Sequence, residues 1–285
     1  MSKINKKLGL IGAGNMGEAI IGAVIRSDIL GPDMIFESDI NQDRLKNLQN
    51  AYGINIGCDN IGLFNDCDII ALCIKPQDMV NVLSGIAQGG SIRQIYKKKL
   101  IISVAAGIPI KKIEDLLYAA FDDKSKNNLP VVRVMQNTPA LVLSGMSGMS
   151  VNCACTEEDI NTAKTILNAM GKVLEFKEED LDSVTALSGS GPAYVFYLIE
   201  AMILAGEKLG LDHGAAQELS LQTIKGAVKL LEEKKETPES LRKKVTSPGG
   251  TTQAALNVFE ARFVKQGIVE GIIAAAKRSA ELSRL

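Results

Sequence analysis

Apolar positions fall into two arrangements along the chain, and the change comes near residue 177. Before it, short apolar runs alternate with stretches of helical period. Leu8 to Ile11 is the first run, ended by Gly12, and Met16 to Ile25 reads as a helix. Met34 to Phe36, entered through Gly31-Pro32, is a second strand, and Gln42 to Gln49 a second helix. Asp68 to Ile74 and Leu100 to Val104 are further strands, with a helix from Ile110 to Tyr118 after them. Val131 to Met135, Met149 to Cys153 and Lys172 to Phe176 complete the strands. Thr156, with Asp159 three residues on, forms a capping box that starts one more helix. Strands this apolar are covered on both faces, so the pattern predicts a doubly wound parallel α/β sheet.

Beyond 177 only helices are expected. From Leu181 to Leu211 the charges are Asp182, Glu200, Glu207 and Lys208 alone, and Tyr194 to Ile199 is apolar on every face. Such a helix is buried all round, and so small a domain needs a partner subunit to cover it. Further helices run from Ala215 to Leu231, from Pro238 (capped by Thr237) to Val245, from Thr251 to Phe259, and from Gly267 to the end. The expected domains are therefore 1–177 and 178–285.

Composition narrows the class. A chain of 285 residues sits where one core divides into two, and 46% hydrophobic residues exclude wholesale disorder. With 32 basic against 33 acidic side chains, net −1, nothing electrostatic favours nucleic acid or an anionic membrane as partner. Cys58, Cys67, Cys73, Cys153 and Cys155 have no zinc-like spacing, which fits a reducing compartment and no metal; the last two would share one face of a strand. The polar lead Met1 to Lys7 is too brief for a signal peptide, and no stretch approaches about 20 uncharged apolar residues. A soluble cytoplasmic protein is expected.

The chemistry begins at Gly12-Ala13-Gly14-Asn15-Met16-Gly17, a G-x-G-x-x-G turn between the first strand and the first helix. Its glycines let backbone approach a pyrophosphate, and the helix N-terminus offers free N–H groups to that anion. The second strand ends in Glu37-Ser38-Asp39. An acid here accepts from the ribose hydroxyls of NAD and repels the extra phosphate of NADP; it can equally cap the next turn. Ser38 could bond a phosphate instead, but the nearest arginine is Arg44. Lys75-Pro76 puts a cation at the carboxyl edge of the sheet, and Ser103 to Gly107 is a run of small residues suited to a flat nicotinamide ring or to close packing.

In the helical part, Ser247-Pro248-Gly249-Gly250-Thr251-Thr252 joins two helices. Two glycines and two threonines at a helix start make a carboxylate receptor of N–H groups, hydroxyls and helix dipole, or a capping turn. Ser188-Gly189-Ser190-Gly191-Pro192 interrupts the start of the apolar helix, which suggests close approach of a ligand or of another subunit.

These segments, with Ile74-Lys75-Pro76, Val104-Ala105-Ala106-Gly107, Gln136-Asn137-Thr138-Pro139, Ala186 to Tyr194 and Val245 to Thr252, resemble pyrroline-5-carboxylate reductases in order and over almost the whole chain. The resemblance implies a Rossmann-type domain followed by an all-helical dimerisation domain, in homodimers often assembled further. It also implies reduction of 1-pyrroline-5-carboxylate to L-proline with NADPH or NADH. By position it implies cofactor contacts from Ile11, Gly12, Ala13, Gly14, Asn15, Met16 and Gly17, from Ser38, Asp39 and Asn60, from Cys73, Ile74, Lys75 and Pro76, and from Ala105, Ala106 and Gly107. Ser247, Gly250, Thr251 and Thr252 would hold the substrate carboxylate, with Thr252 also at the ring nitrogen as the catalytic residue. Two departures stand out. Glu37-Ser38-Asp39 replaces the serine or Asn-Arg of many members, and Lys244 replaces a polar residue that some use near the cofactor.

The lone histidine, His213, lies at a helix boundary and reads as a surface or capping residue. A cyclic imine can bind already protonated, so positioning does most of the work and no strong acid is needed. A hydroxy- or keto-acid reductase of the same architecture would want a lysine or histidine acid that no matching motif supplies. A non-catalytic dinucleotide sensor would need the 247–252 turn to be purely structural.

Overall fold

A computed structural model describes residues 3–57, 59–89 and 95–283; Cys58 and the first two residues of the polar lead lie outside them. Among the described residues the strands are β1 (Leu8–Ile11), β2 (Ile35–Ser38), β3 (Asn55–Ile56), β4 (Ile69–Leu72), β5 (Leu100–Ser103), β6 (Val131–Gln136), β7 (Gly145–Val151) and β8 (Gly171–Glu175). They form one sheet in the order β3-β2-β1-β4-β5-β6-β7-β8. The helices beside it are α1 (Asn15–Arg26), α2 (Gln42–Tyr52), α3 (Asn60–Asp66), α4 (Met79–Gly89), α5 (Ile110–Tyr118), α6 (Asp123–Asn127) and α7 (Glu157–Asn168).

Alternation along the strands divides the core in two. Ile69 and Ala71 of β4 pack with residues of α1, α2 and α7, whereas Ile70 and Leu72 pack with α3, α4 and α5. Both faces are covered, as the continuous apolar runs require. The sheet is not wholly parallel, however: β7 runs antiparallel to β6, and β8 parallel to β7. The connection from β6 to β7 is a single helical turn, Thr138–Val142, too short for a crossover, so the chain can only turn back. Cys153 and Cys155 consequently lie beyond the end of β7, in and after a turn, and not on a strand. The Thr156–Asp159 capping box forms at α7.

The remaining helices are α8 (Leu181–Val184), α9 (Gly191–Lys208), α10 (His213–Lys234), α11 (Pro238–Lys244), α12 (Thr251–Ala261) and α13 (Val264–Leu282). Packing groups residues up to Gly189, together with those from Ala275 onward, into one unit and residues 190–274 into a second. In the first unit, Asp182 accepts from the hydroxyls of Ser279 (2.6 Å) and Ser283 (3.3 Å), which ties down the end of α13. A π-turn, Thr185–Gly189, follows α8. Asn137 Nδ2 donates to Ser188 O (3.2 Å) in that turn, while Asn137 Oδ1 accepts from Met146 N (2.8 Å). A Cβ on Gly189 would stand 2.3 Å from Met135 Cε, so Met135 is what approaches this glycine.

In the second unit only Ala216 and Ser220 are buried among the described residues. Phe196, Tyr197 and Leu198 of α9 are 58%, 75% and 53% exposed. Contrary to expectation, the helical stretch 178–208 is long and apolar enough, by length and composition, to cross a membrane. Its uncharged run reaches from Ser183 to Ile199, interrupted by glycines and a proline.

Candidate functional site

In the first unit the carboxyl ends of β1, β2 and β4 open onto a cleft of about 730 Å³. Such a position at the switch of strand order is where open α/β sheets take ligands. Of the expected cofactor residues, Ile11, Gly12, Gly14, Ser38, Asp39, Asn60, Cys73, Ile74 and Lys75 line it. Ala13 is buried, Asn15 to Gly17 form the first turn of α1, and Pro76 and Ala105 to Gly107 lie outside the lining. Ile40, Asp78, Asn81 and Val82 line it without having been anticipated. Ile40 carried a readable signal, a large apolar side chain in a turn, and it is fully exposed.

The glycine loop has the shape a pyrophosphate needs. Gly12 has φ +106°, and a Cβ there would lie 2.8 Å from the backbone of Cys73. At Gly14 a Cβ would meet nothing within 4 Å, so this bend faces open space. No side chain caps α1, which leaves its first N–H groups free for an anion. The residues present therefore fit a dinucleotide.

Acids dominate the other wall. Asp39 Oδ2 accepts from Ala13 N (2.6 Å) and Oδ1 from Asn41 N (2.7 Å). Ser38 Oγ donates to Asn60 Oδ1 (2.7 Å). Arg44 donates from Nε to Ala13 O (2.9 Å) and pairs with Glu18. Glu37 is fully buried, with both carboxyl oxygens lacking a hydrogen-bond partner. Burial, then the neighbouring Asp39, pushes its pKa up to about 8.

In the second unit the 247–252 turn is held by one bond of its own backbone and one to the Gln253 side chain. Gly249 has φ +71°, its N–H donates to Gln253 Oε1 (2.6 Å), and Gly250 N donates to Ser247 O (3.0 Å). Gly250 precedes α12 and no side chain caps that helix, so the first N–H groups and the Thr251 and Thr252 hydroxyls stand together at its start. Lys244 points its ammonium at both oxygens of Glu236 (2.7 Å), which draws the Glu236 pKa down. His213 pairs with Glu207 (2.7 Å) at an exposed helix end. Among the described residues no cluster of three or more His, Cys, Asp or Glu could hold a metal.

The family model for pyrroline-5-carboxylate reductase dimerisation matches residues 178–282, and the one for NADP oxidoreductase, coenzyme F420-dependent, matches residues 7–107. Pyrroline-5-carboxylate reductase 2 of Bacillus subtilis is 39% identical over 97% of this chain and 95% of its own. Among solved structures, a pyrroline-5-carboxylate reductase of Coxiella burnetii superposes with a TM-score of 0.87 at 32% identity, covering 98% of this chain and 99% of its own. A pyrroline carboxylate reductase of Plasmodium falciparum with NADP bound gives 0.84 at 31% identity, covering 99% and 100%.

Proposed function

The chain belongs to the pyrroline-5-carboxylate reductase family, and we infer that it reduces 1-pyrroline-5-carboxylate to L-proline, the last step of proline biosynthesis. Bound NADPH or NADH supplies the hydride. The protein's own residues hold and orient. Residues 1–177 serve the cofactor: Ile11 to Gly17 offer loop and helix N–H groups to the pyrophosphate, and Ser38, Asp39 and Asn60 take the adenosine ribose. Cys73 to Pro76 and Ala105 to Gly107 take the nicotinamide side, with Lys75 as the cation.

Residues 178–285 serve substrate and association. The Ser247 and Thr251 hydroxyls, Gly250 and the first N–H groups of α12 receive the carboxylate. The Thr252 hydroxyl meets the ring nitrogen and relays its proton; an imine bound as iminium asks no more acidity than that. A second copy of the chain covers the apolar faces of α9 to α13, and a homodimer, rather than a bilayer, accounts for the apolar stretch 178–208. The matched dimerisation model supports this. Free thiols at Cys67, Cys73, Cys153 and Cys155 support a cytoplasmic setting.

The observation that carries the reading is the identity running through 97% of the chain, which takes in both the glycine loop and the 247–252 turn. Imine-dependent oxidation of NADPH or NADH by the purified protein, and proline-dependent reduction of the oxidised cofactor at high pH, test it. No reaction in either direction overturns it. Thr252→Ala should lower kcat roughly a hundredfold while leaving cofactor affinity unchanged, and Thr252→Ser should restore it. Unchanged turnover removes Thr252 from the chemistry.

A further inference from the structure

The cleft wall at the end of β2 carries charge of one sign, and we propose that Asp39 makes this chain select NADH over NADPH; this rests on the reading of the cleft as the dinucleotide site. The two cofactors differ by one phosphate on the adenosine ribose, and in doubly wound sheets that ribose lies beside the end of the second strand. Asp39 stands there. Its carboxylate is pinned by Ala13 N (2.6 Å) and Asn41 N (2.7 Å), so it does not swing aside. Each of its oxygens keeps a lone pair that can accept from a ribose hydroxyl.

Three nearby side chains that could offset a phosphate already have partners. Ser38 Oγ gives its proton to Asn60 Oδ1 (2.7 Å). Gln42 Nε2 donates to Asp39 O (3.3 Å). The Arg44 guanidinium is held by Ala13 O (2.9 Å) and by Glu18. Among the described residues lining the cleft, Asp39, Asp59 and Asp78 are acidic and Lys75 alone is basic. Lys75 follows β4, and β1 separates β4 from β2, which puts two strand spacings, about 10 Å, between that strand and the one that Asp39 follows. A phosphate brought here meets a fixed carboxylate, and the Arg44 cation beside it is already paired with Glu18.

Calorimetric titration of the full-length protein with NADH and with NADPH, without imine, tests this. NADH should bind at least about tenfold more tightly, as like-charge contact disfavours the phosphorylated form. Asp39→Asn keeps the shape and one acceptor oxygen while removing the charge; it should tighten NADPH about tenfold and weaken NADH. Equal or tighter NADPH binding by the wild-type protein overturns the proposal. So does an Asp39→Asn variant that weakens both cofactors alike, which would make Asp39 only a prop for the glycine loop. Failure of both cofactors to bind overturns the cleft reading as well. NADH selection without imine reduction would sink the proposed activity and leave the selection standing.

Discussion

Along β1, β4 and β5 no side chain of the apolar core is more than 4% exposed, whereas along α9 Phe196, Tyr197 and Leu198 are each more than half exposed in the single chain. The sequence runs that make these two regions are about equally apolar. They differ in what covers them. The strands are closed off by helices of their own unit on both faces. The helices of residues 190–274 are apolar on more sides than their neighbours can reach, so each area of about 25 cal/mol per Å² stays unrealised until another surface arrives. The first region is a finished core, and the second is part of a larger object.

The strongest way to break this comparison is a charge on α9. Phe196→Glu places a carboxylate where a second copy is expected, at a cost on the order of 3 kcal/mol or more if the contact is dry. Sedimentation should show a fall to the monomer mass, and the concentration dependence of Tm expected of the wild-type homodimer should vanish. An unchanged mass would mean that α9 is not what the second copy covers.

A second test uses a flaw inside the finished core. Glu37 keeps its proton up to about pH 8, because burial and Asp39 disfavour the anion, while in the unfolded chain it ionises near 4.5. The folded state therefore holds more protons across that window, and stability falls as pH rises through it. Glu37→Gln removes the titration. Its advantage over the wild-type protein should be absent below pH 4.5, grow through the window and level off above about 8 at roughly 5 kcal/mol. Melting both proteins across pH checks this, and a difference that does not vary with pH refutes it.

The same contrast explains what could be read in the sequence. Apolar runs fixed by burial on both faces, such as Leu8–Ile11 and Leu100–Ser103, announce themselves. β3 is two half-buried residues, Asn55–Ile56, and has no run to read. α3 is one short helix behind the Asp59 cap, and α4 follows directly from the turn at Pro76–Asp78, so neither shows a periodic stretch with clear ends. The direction of β7 was invisible in its own residues, because a strand's composition reads the same either way; only the short link from Asn137 to Ser144 held the information. In the cleft, residues on the glycine loop and at strand ends were legible from spacing. Asn81 and Val82 were not, since they belong to the wall only because α4 forms. The exposure of α9 was legible in outline, as an apolar helix too large for its own domain to bury.

The smallest effect sharpens the comparison most finely, because it separates the 247–252 turn from the helices around it. That turn is closed by its own bonds, Gly249 N to Gln253 and Gly250 N to Ser247, even though α11 and α12 contain no buried residue. A Cβ on Gly250 would stand 2.5 Å from Ser247 Oγ and 3.1 Å from Ser247 O. At φ −80° the backbone accepts alanine without strain, so Gly250→Ala must act by displacing the Ser247 hydroxyl. Stability should change by less than about 1 kcal/mol, as for other exposed positions. The KM for the imine should rise roughly tenfold with cofactor affinity untouched, the loss of one charge-assisted hydrogen bond to a carboxylate. Steady-state kinetics beside a melting curve make the distinction. If KM holds while Tm drops, the turn depends on its surroundings as the helices do, and Ser247 is not the hydroxyl that receives the substrate.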